Sequence, residues 1–237
     1  VMEKSHLVEV LRSIKSDRKV VAMVAPAIAG QFKQPLDKIL GAIKSIGFDE
    51  VIEVAKGADV TTANEAAEFM ERMEEGAPFM TTSCCPSYMQ VVEKHVPEMK
   101  PFVSHTGSPM YYTAEIARKR FPDAVLVFVG PCLAKRYESF KNPNTDYMLS
   151  FEEIGAIMVG KGIFVVNEKP EKLDMTIDPT SRGYAVTSGV MGAVRSKLPP
   201  DYPITSLVIN GLDRAAIKQM KQYPQKAPAN MIEVMAC

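Results

Sequence analysis

Tryptophan is absent from this chain, cysteine occurs four times in 237 residues and histidine three times, and 28 basic residues are cancelled by 28 acidic ones. Each scarcity excludes something. Four cysteines are too few for a secreted disulfide framework and point to a reducing compartment, read as cytoplasmic. A net charge of zero offers no electrostatic case for nucleic acid or for an anionic membrane. No apolar run is long enough to span a bilayer, and no signal-peptide pattern opens the chain. His6, His95 and His105 form no ligand spacing and no CxxC is present, which weakens a zinc reading. Without a phosphate loop, a GxGxxG or an HExxH, nucleotide and zinc-peptidase readings lack support. Methionine, by contrast, is plentiful: the fifteen present suit core filling and the soft wall of a metal site.

The four cysteines are at 84, 85, 132 and 237, and two of them are adjacent in Thr82-Ser83-Cys84-Cys85-Pro86. Neighbouring Cα atoms lie about 3.8 Å apart, whereas disulfides usually span roughly 4.4–6.8 Å. The pair therefore does not close on itself. A division into one soft metal ligand and one titratable thiol accounts for both. Thiolates without CxxC or histidine partners favour an iron–sulfur cluster over zinc. Cys132 and Cys237 taken alone read slightly better as small buried hydrophobes.

Hydrophobic periodicity predicts helices over 5–15, 33–46, 60–75, 86–95, 108–120, 151–160 and 212–221. It predicts strands over 19–24, 49–54, 78–82, 124–129, 163–166, 204–208 and 231–235. Segments 139–150 and 197–203 read as loops. Strands alternating with helices imply an α/β fold with parallel sheet covered on both faces. Ligands bind beyond the carboxyl ends of such strands, and all four cysteines follow predicted strand ends. The chain begins with Val1 and stops at Cys237, directly after an apolar strand, which reads as a fragment.

The helix before the cysteine pair carries Glu65, Glu68 and Arg72 at spacings of three and four, on one stripe. They make either a chain of carboxylates that moves protons or a solvated face with an ion pair worth a few tenths of a kcal/mol. The residues alone favour the second. Lys135, soon after Cys132, is suited to an anionic ligand, although a lysine in a turn is usually just exposed.

Together these segments resemble the catalytic domain of the iron-only (di-iron) hydrogenases. Residues 82–86 are similar to the family's TSCCP signature, 131–138 to its PCxxKxxE, and 233–237 to the opening of its ExMACxxGC. Ser108-Pro109 resembles the start of its SPQQ element, and 188–191 its GGVM. The resemblance runs from about residue 19 to the end and takes in every cysteine. It implies one H-cluster domain over 1–237, incomplete at its C-terminus. Its two lobes of mostly parallel sheet, about 1–130 with the C-terminal strand and 131–230, would hold the cluster between them. It implies a 4Fe-4S cubane on Cys85, Cys132 and Cys237, joined to a di-iron subcluster with CO, CN and dithiolate ligands. Cys84 would be the proton-exchanging thiol, and Glu65, Glu68, Arg72 and Ser104 the proton path. Lys135, Met235, Pro131 and Ser108 would contact the cofactor, with Lys135 bonded to a cyanide. The implied activity is reversible oxidation of H2 with ferredoxin or another electron carrier, after loading of the di-iron unit by maturation proteins.

The chain also departs from the family. Gly130 replaces a methionine, Tyr88 stands near the position of a tryptophan, and Met110 and Tyr111 replace the SPQQ glutamines. The fourth cluster cysteine would fall four residues past Cys237. These departures resemble divergent, sensory branches, so a non-catalytic H2 or redox sensor is one alternative. A scaffold like the related iron–sulfur assembly factor is another; that group generally lacks the first cysteine of the pair.

Overall fold

A computed structural model describes residues 4–172 and 176–236. In chain order the elements are α1 Leu7–Ile14, β1 Val20–Val24, α2 Leu36–Ile46, β2 Glu50–Glu53, α3 Ala55–Glu74, β3 Met80–Thr81, α4 Pro86–His95, α5 Pro109–Arg120 and β4 Val125–Gly130. They continue with α6 Ala134–Lys141, β5 Tyr147–Ser150, α7 Phe151–Gly160, α8 Pro179–Arg182, α9 Gly189–Lys197, β6 Ser206–Asn210, α10 Arg214–Met220 and β7 Met231–Met235.

The chain folds into two compact units, each assembled from two stretches of sequence. The first takes residues up to Gly57 and then Met110–Ile177. Its sheet is fully parallel, in the order β2-β1-β4-β5. β1 and β4 are buried at every position, as expected of central parallel strands covered on both faces. Their β-branched, nearly all-apolar sequences suit no other environment in the unit. α2 ends at Gly47, whose φ of 119° is the left-handed conformation that closes a helix. Ser150 ends β5 and starts α7 through a reciprocal capping box with Glu153.

The second unit takes Ala58–Pro109 and the chain from Asp178 onward. Its sheet is also parallel, in the order β3-β7-β6. One apolar cluster in this unit gathers Phe79, Tyr88, Val92, Met99 and Val234, and another gathers Ala66, Phe69, Met80, Val190 and Met231.

The expected α/β class with parallel sheet holds, and three local expectations change. The lobe boundary read near residue 130 is not where the chain divides. β5 extends the first sheet from beyond that point, and β3 pairs with β7 rather than with β1 or β4. Segment 139–150 is a loop only over 142–146; it begins in the end of α6 and closes in strand β5, whose pairing with β4 is completed by the Asp146 carboxylate accepting from the Leu126 N–H at 2.8 Å. Residues 163–166 are not a strand; a short 3-10 turn covers Val165–Asn167. The alternation there is real, with Ile163 and Val165 packed on the core and Phe164 and Val166 exposed. It belongs to no sheet in the described topology.

Ser150→Ala removes the cap of α7 and should destabilise the protein by about 1 kcal/mol in urea unfolding.

Candidate functional site

The loop after β3 is held by its neighbours before any cofactor is considered. The Thr82 N–H donates to the Ile232 carbonyl at 3.0 Å, and the Val234 N–H donates to Thr82 Oγ1 at 3.1 Å. The Ser83 hydroxyl donates to the Thr106 carbonyl at 2.6 Å. The Tyr88 hydroxyl, on α4, meets Thr81 Oγ1 at 2.9 Å. Tyr88 thus ties α4 to the strand that leads into the cysteines.

Cys85 sits at the N-cap of α4, with Pro86 at the first helical position, where a missing N–H costs nothing. It is buried among Phe79, Tyr88, Val92 and Val234. Cys84 is half-buried and packs in the other cluster, with Ala66, Phe69, Met191 and Met235. Consecutive residues of an extended segment point to opposite sides. The two thiols therefore belong to different environments and share no disulfide.

α3 presents the carboxylate stripe to this loop. Glu65 is fully buried, and neither of its oxygens has a hydrogen-bond partner of good geometry. Burial pushes its pKa up to about 8, and the negative charges of Glu68 and Glu233 push the same way. The Ser83 N–H and the Ser104 hydroxyl offset part of this. Glu68, one turn on, is the opposite case. Burial raises it, but Ser104, the His105 amide and Arg72 together outweigh burial and hold it below the usual carboxylate range. The Ser104 hydroxyl donates at 2.6 Å, the His105 N–H at 2.9 Å and Arg72 at 2.6 Å. Arg72 is itself fixed by the Pro101 and Val103 carbonyls. A neutral carboxyl and an ionised one thus stand one helical turn apart at neutral pH, a pairing suited to proton transfer.

Three participants were not singled out from the sequence. Glu233 is fully buried on β7 and accepts from the Ser188 N–H at 3.0 Å and the Met191 N–H at 2.7 Å. Burial nevertheless raises its pKa. The signal was present as a lone carboxylate inside the apolar run Met231-Ile232-Glu233-Val234-Met235. Thr62 and Tyr184 join hydroxyls at 2.9 Å, and burial holds the Tyr184 phenol well above its usual range. Gly189 admits this arrangement, because a Cβ there would lie 1.7 Å from the Gly183 carbonyl oxygen.

Cys84, Cys85, Glu65, Glu68, Arg72, Ser104, Ser108 and Met235 all lie in the second unit, with Ser108 buried and Met235 ending β7. Cys132, Pro131 and Lys135 lie in the first. There Cys132 is half-buried just past β4, Pro131 is exposed, and Lys135 Nζ pairs with Glu138 at 2.6 Å. At Gly130 a Cβ would meet the Phe128 ring at 2.5 Å, so that ring fills the space a side chain would take. Among the described residues no three His, Cys, Asp or Glu gather as a metal site, and Cys237 lies outside those residues. The described donors, soft thiols just past the ends of β3 and β4, fit an iron–sulfur group chemically.

Glu65 folds protonated and ionises when unfolded near 4.5, so its contribution to stability is greatest below that pH and is lost as the pH rises to about 8. Glu65→Gln should therefore stabilise the cluster-free protein by about 1–3 kcal/mol at pH 8 and leave it unchanged at pH 4. Urea unfolding at the two pH values checks this.

Residues 18–237 match the family described as iron only hydrogenase large subunit, C-terminal domain. Iron hydrogenase 1 of Clostridium pasteurianum is 24% identical over 257 residues, covering 98% of this chain and 42% of that protein. The cytosolic Fe-S cluster assembly factor NAR1 of Candida dubliniensis is 24% identical over 180 residues, covering 68% of this chain and 31% of that protein. The chain thus spans well under half the length of either relative. A variant of the [FeFe]-hydrogenase HydA1 from Chlamydomonas reinhardtii shares the fold, with a TM-score of 0.81 at 21% identity, over 99% of this chain and 82% of that one. With the family match covering nearly the whole chain, the protein belongs to the iron-only hydrogenase large-subunit family.

Proposed function

We propose that this chain is the catalytic domain of an iron-only hydrogenase, carrying out reversible oxidation of H2 to protons and electrons. The observation that carries the reading is the Glu65–Glu68 pair, one carboxyl neutral and the next ionised, beside the cysteine loop. Cys85, Cys132 and Cys237 would hold the cubane; Lys135, Met235, Pro131 and Ser108 would line the cofactor. When bound, the H-cluster would supply H2 activation and store the electrons. Cys84 would exchange the proton, since a thiol ionises near 8.5 and can both hold and release it at neutral pH. Glu65, neutral at rest, would pass its own proton on toward Glu68 and then be reprotonated by Cys84, returning to the neutral form that burial favours. Ser104 would bridge toward Glu68, whose Oε2 already accepts its hydroxyl. Arg72 would hold Glu68 in place, because a guanidinium does not itself release a proton.

Electrons would pass to ferredoxin or another carrier, and maturation proteins would load the di-iron unit. A cytoplasmic location rests on the sparse cysteines; among the described residues no helix is long and apolar enough to cross a membrane.

Gly130, with the Phe128 ring in its side-chain space, supports a second reading as a non-catalytic H2 or redox sensor. Similarity to an assembly factor supports a scaffold, while Cys84 argues against it.

In matured, full-length protein, Cys84→Ala should lower H2 turnover roughly 100-fold or more while the cubane spectrum persists. Loss of the cubane instead would reverse the roles of Cys84 and Cys85. A wild-type protein with a ligand-responsive cluster spectrum but no turnover would establish the sensor.

A further inference from the structure

Proton relays need an end in water. Glu65 is fully buried, the Glu68 side chain is 14% exposed and that of Arg72 12%. The next side chain in contact is His105, at 86% exposure. Its Nδ1 lies 3.1 Å from Arg72 Nη2 and 3.3 Å from Glu68 Oε1, and its own backbone N–H binds Glu68. The ring is therefore tethered at one nitrogen to Arg72, with the outer carboxylate alongside, while the rest of it stands in water.

We propose, resting on the hydrogenase reading, that His105 is the port through which Glu68 exchanges protons with bulk buffer. Arg72 can only donate, so the neutral imidazole accepts at Nδ1 and carries its hydrogen on Nε2. The Nδ1 lone pair then faces both Arg72 and Glu68. In the release direction, a protonated Glu68 gives its proton to Nδ1 and becomes a carboxylate. The imidazolium then loses a proton to a buffer base and the neutral ring is restored. Uptake is the reverse, with the buffer acid protonating the ring and Nδ1–H passing the proton to Glu68 Oε1. Among the described residues, Glu68 and Arg72, both from α3, are the charged groups in contact with the ring. Glu68 is too firmly held as an anion, and Arg72 too basic, for either to serve this exchange alone near neutrality.

Two measurements decide the matter. In the cluster-free protein, long-range proton–nitrogen correlation should find His105 in the Nε2–H form, and Arg72→Met should release it to a mixture of tautomers. A mixture already present in the wild type would overturn the tether. In matured full-length protein at low buffer concentration, His105→Ala should lower turnover at least ~10-fold and change the pH profile of turnover. Added imidazole should restore both, which a purely structural defect would not allow. If Cys84→Ala abolishes turnover but His105→Ala leaves rate and pH profile unchanged, the port is wrong and the hydrogenase reading stands. If wild type lacks turnover or Cys84→Ala retains it, the hydrogenase reading itself fails and the port falls with it.

Discussion

Two residues of parallel pairing, Met80 and Thr81 against Met231 and Ile232, set the position of nearly everything else in the second unit. The ladder is short, but Thr82 continues it with its amide and its hydroxyl, one to Ile232 and the other to Val234. Residues some 150 positions apart are thereby placed side by side. The cysteine loop leaves the sheet next to the strand that carries Glu233 and Met235 toward Cys237. Without this register the two signatures would be separate segments with no common chemistry.

The same register packs α3 and the cysteine loop into a shared apolar cluster, and that packing gives Glu65 its character. A carboxyl with no strong partner among apolar side chains cannot ionise cheaply, so it stays protonated at neutral pH. Glu68, three residues on, is saturated with donors from Ser104, His105, Thr106 and Arg72 and stays ionised. One helix thus presents two carboxyl groups in opposite states, and burial against hydrogen bonding accounts for the contrast. Glu233 is an intermediate case, buried as deeply as Glu65 but given two backbone donors at the start of α9.

The first unit carries its own cysteine in a different setting. Fully buried β4 runs to Gly130, and Cys132 follows beyond the carboxyl end of the sheet. That is where α/β sheets offer ligand sites, because helices cover the faces and leave the strand ends open. Gly130 departs from the family there, and Phe128 from the same strand takes up the volume.

Much of this was legible in the amino-acid sequence. The central strands were readable because burial on both faces demands unbroken apolar, valine-rich runs such as Val20–Val24 and Val125–Gly130. α4, α7 and β7 were readable from the hydrophobic periodicity of 86–95, 151–160 and 231–235. The cysteine pair and its signatures were local patterns, and so pointed to the family. The stripe Glu65–Glu68–Arg72 was visible, but its meaning was not. An identical spacing on an exposed helix would be an ordinary ion pair, and only tertiary packing decides that Glu65 is desolvated while Glu68 is satisfied. Segment 139–150 was misread because β5 is a strand only by virtue of its pairing with β4. Residues 163–166 were misread for the converse reason, an alternating pattern that no neighbouring strand completes. Glu233, Tyr184 and His105 likewise owe their roles to what lies across from them. The sequence by itself determined which groups can exchange protons and bind soft metals, since that is a property of side-chain chemistry. The tertiary structure decided which of them are buried, which are charged and which reach water, since those depend on neighbours brought together from distant parts of the chain.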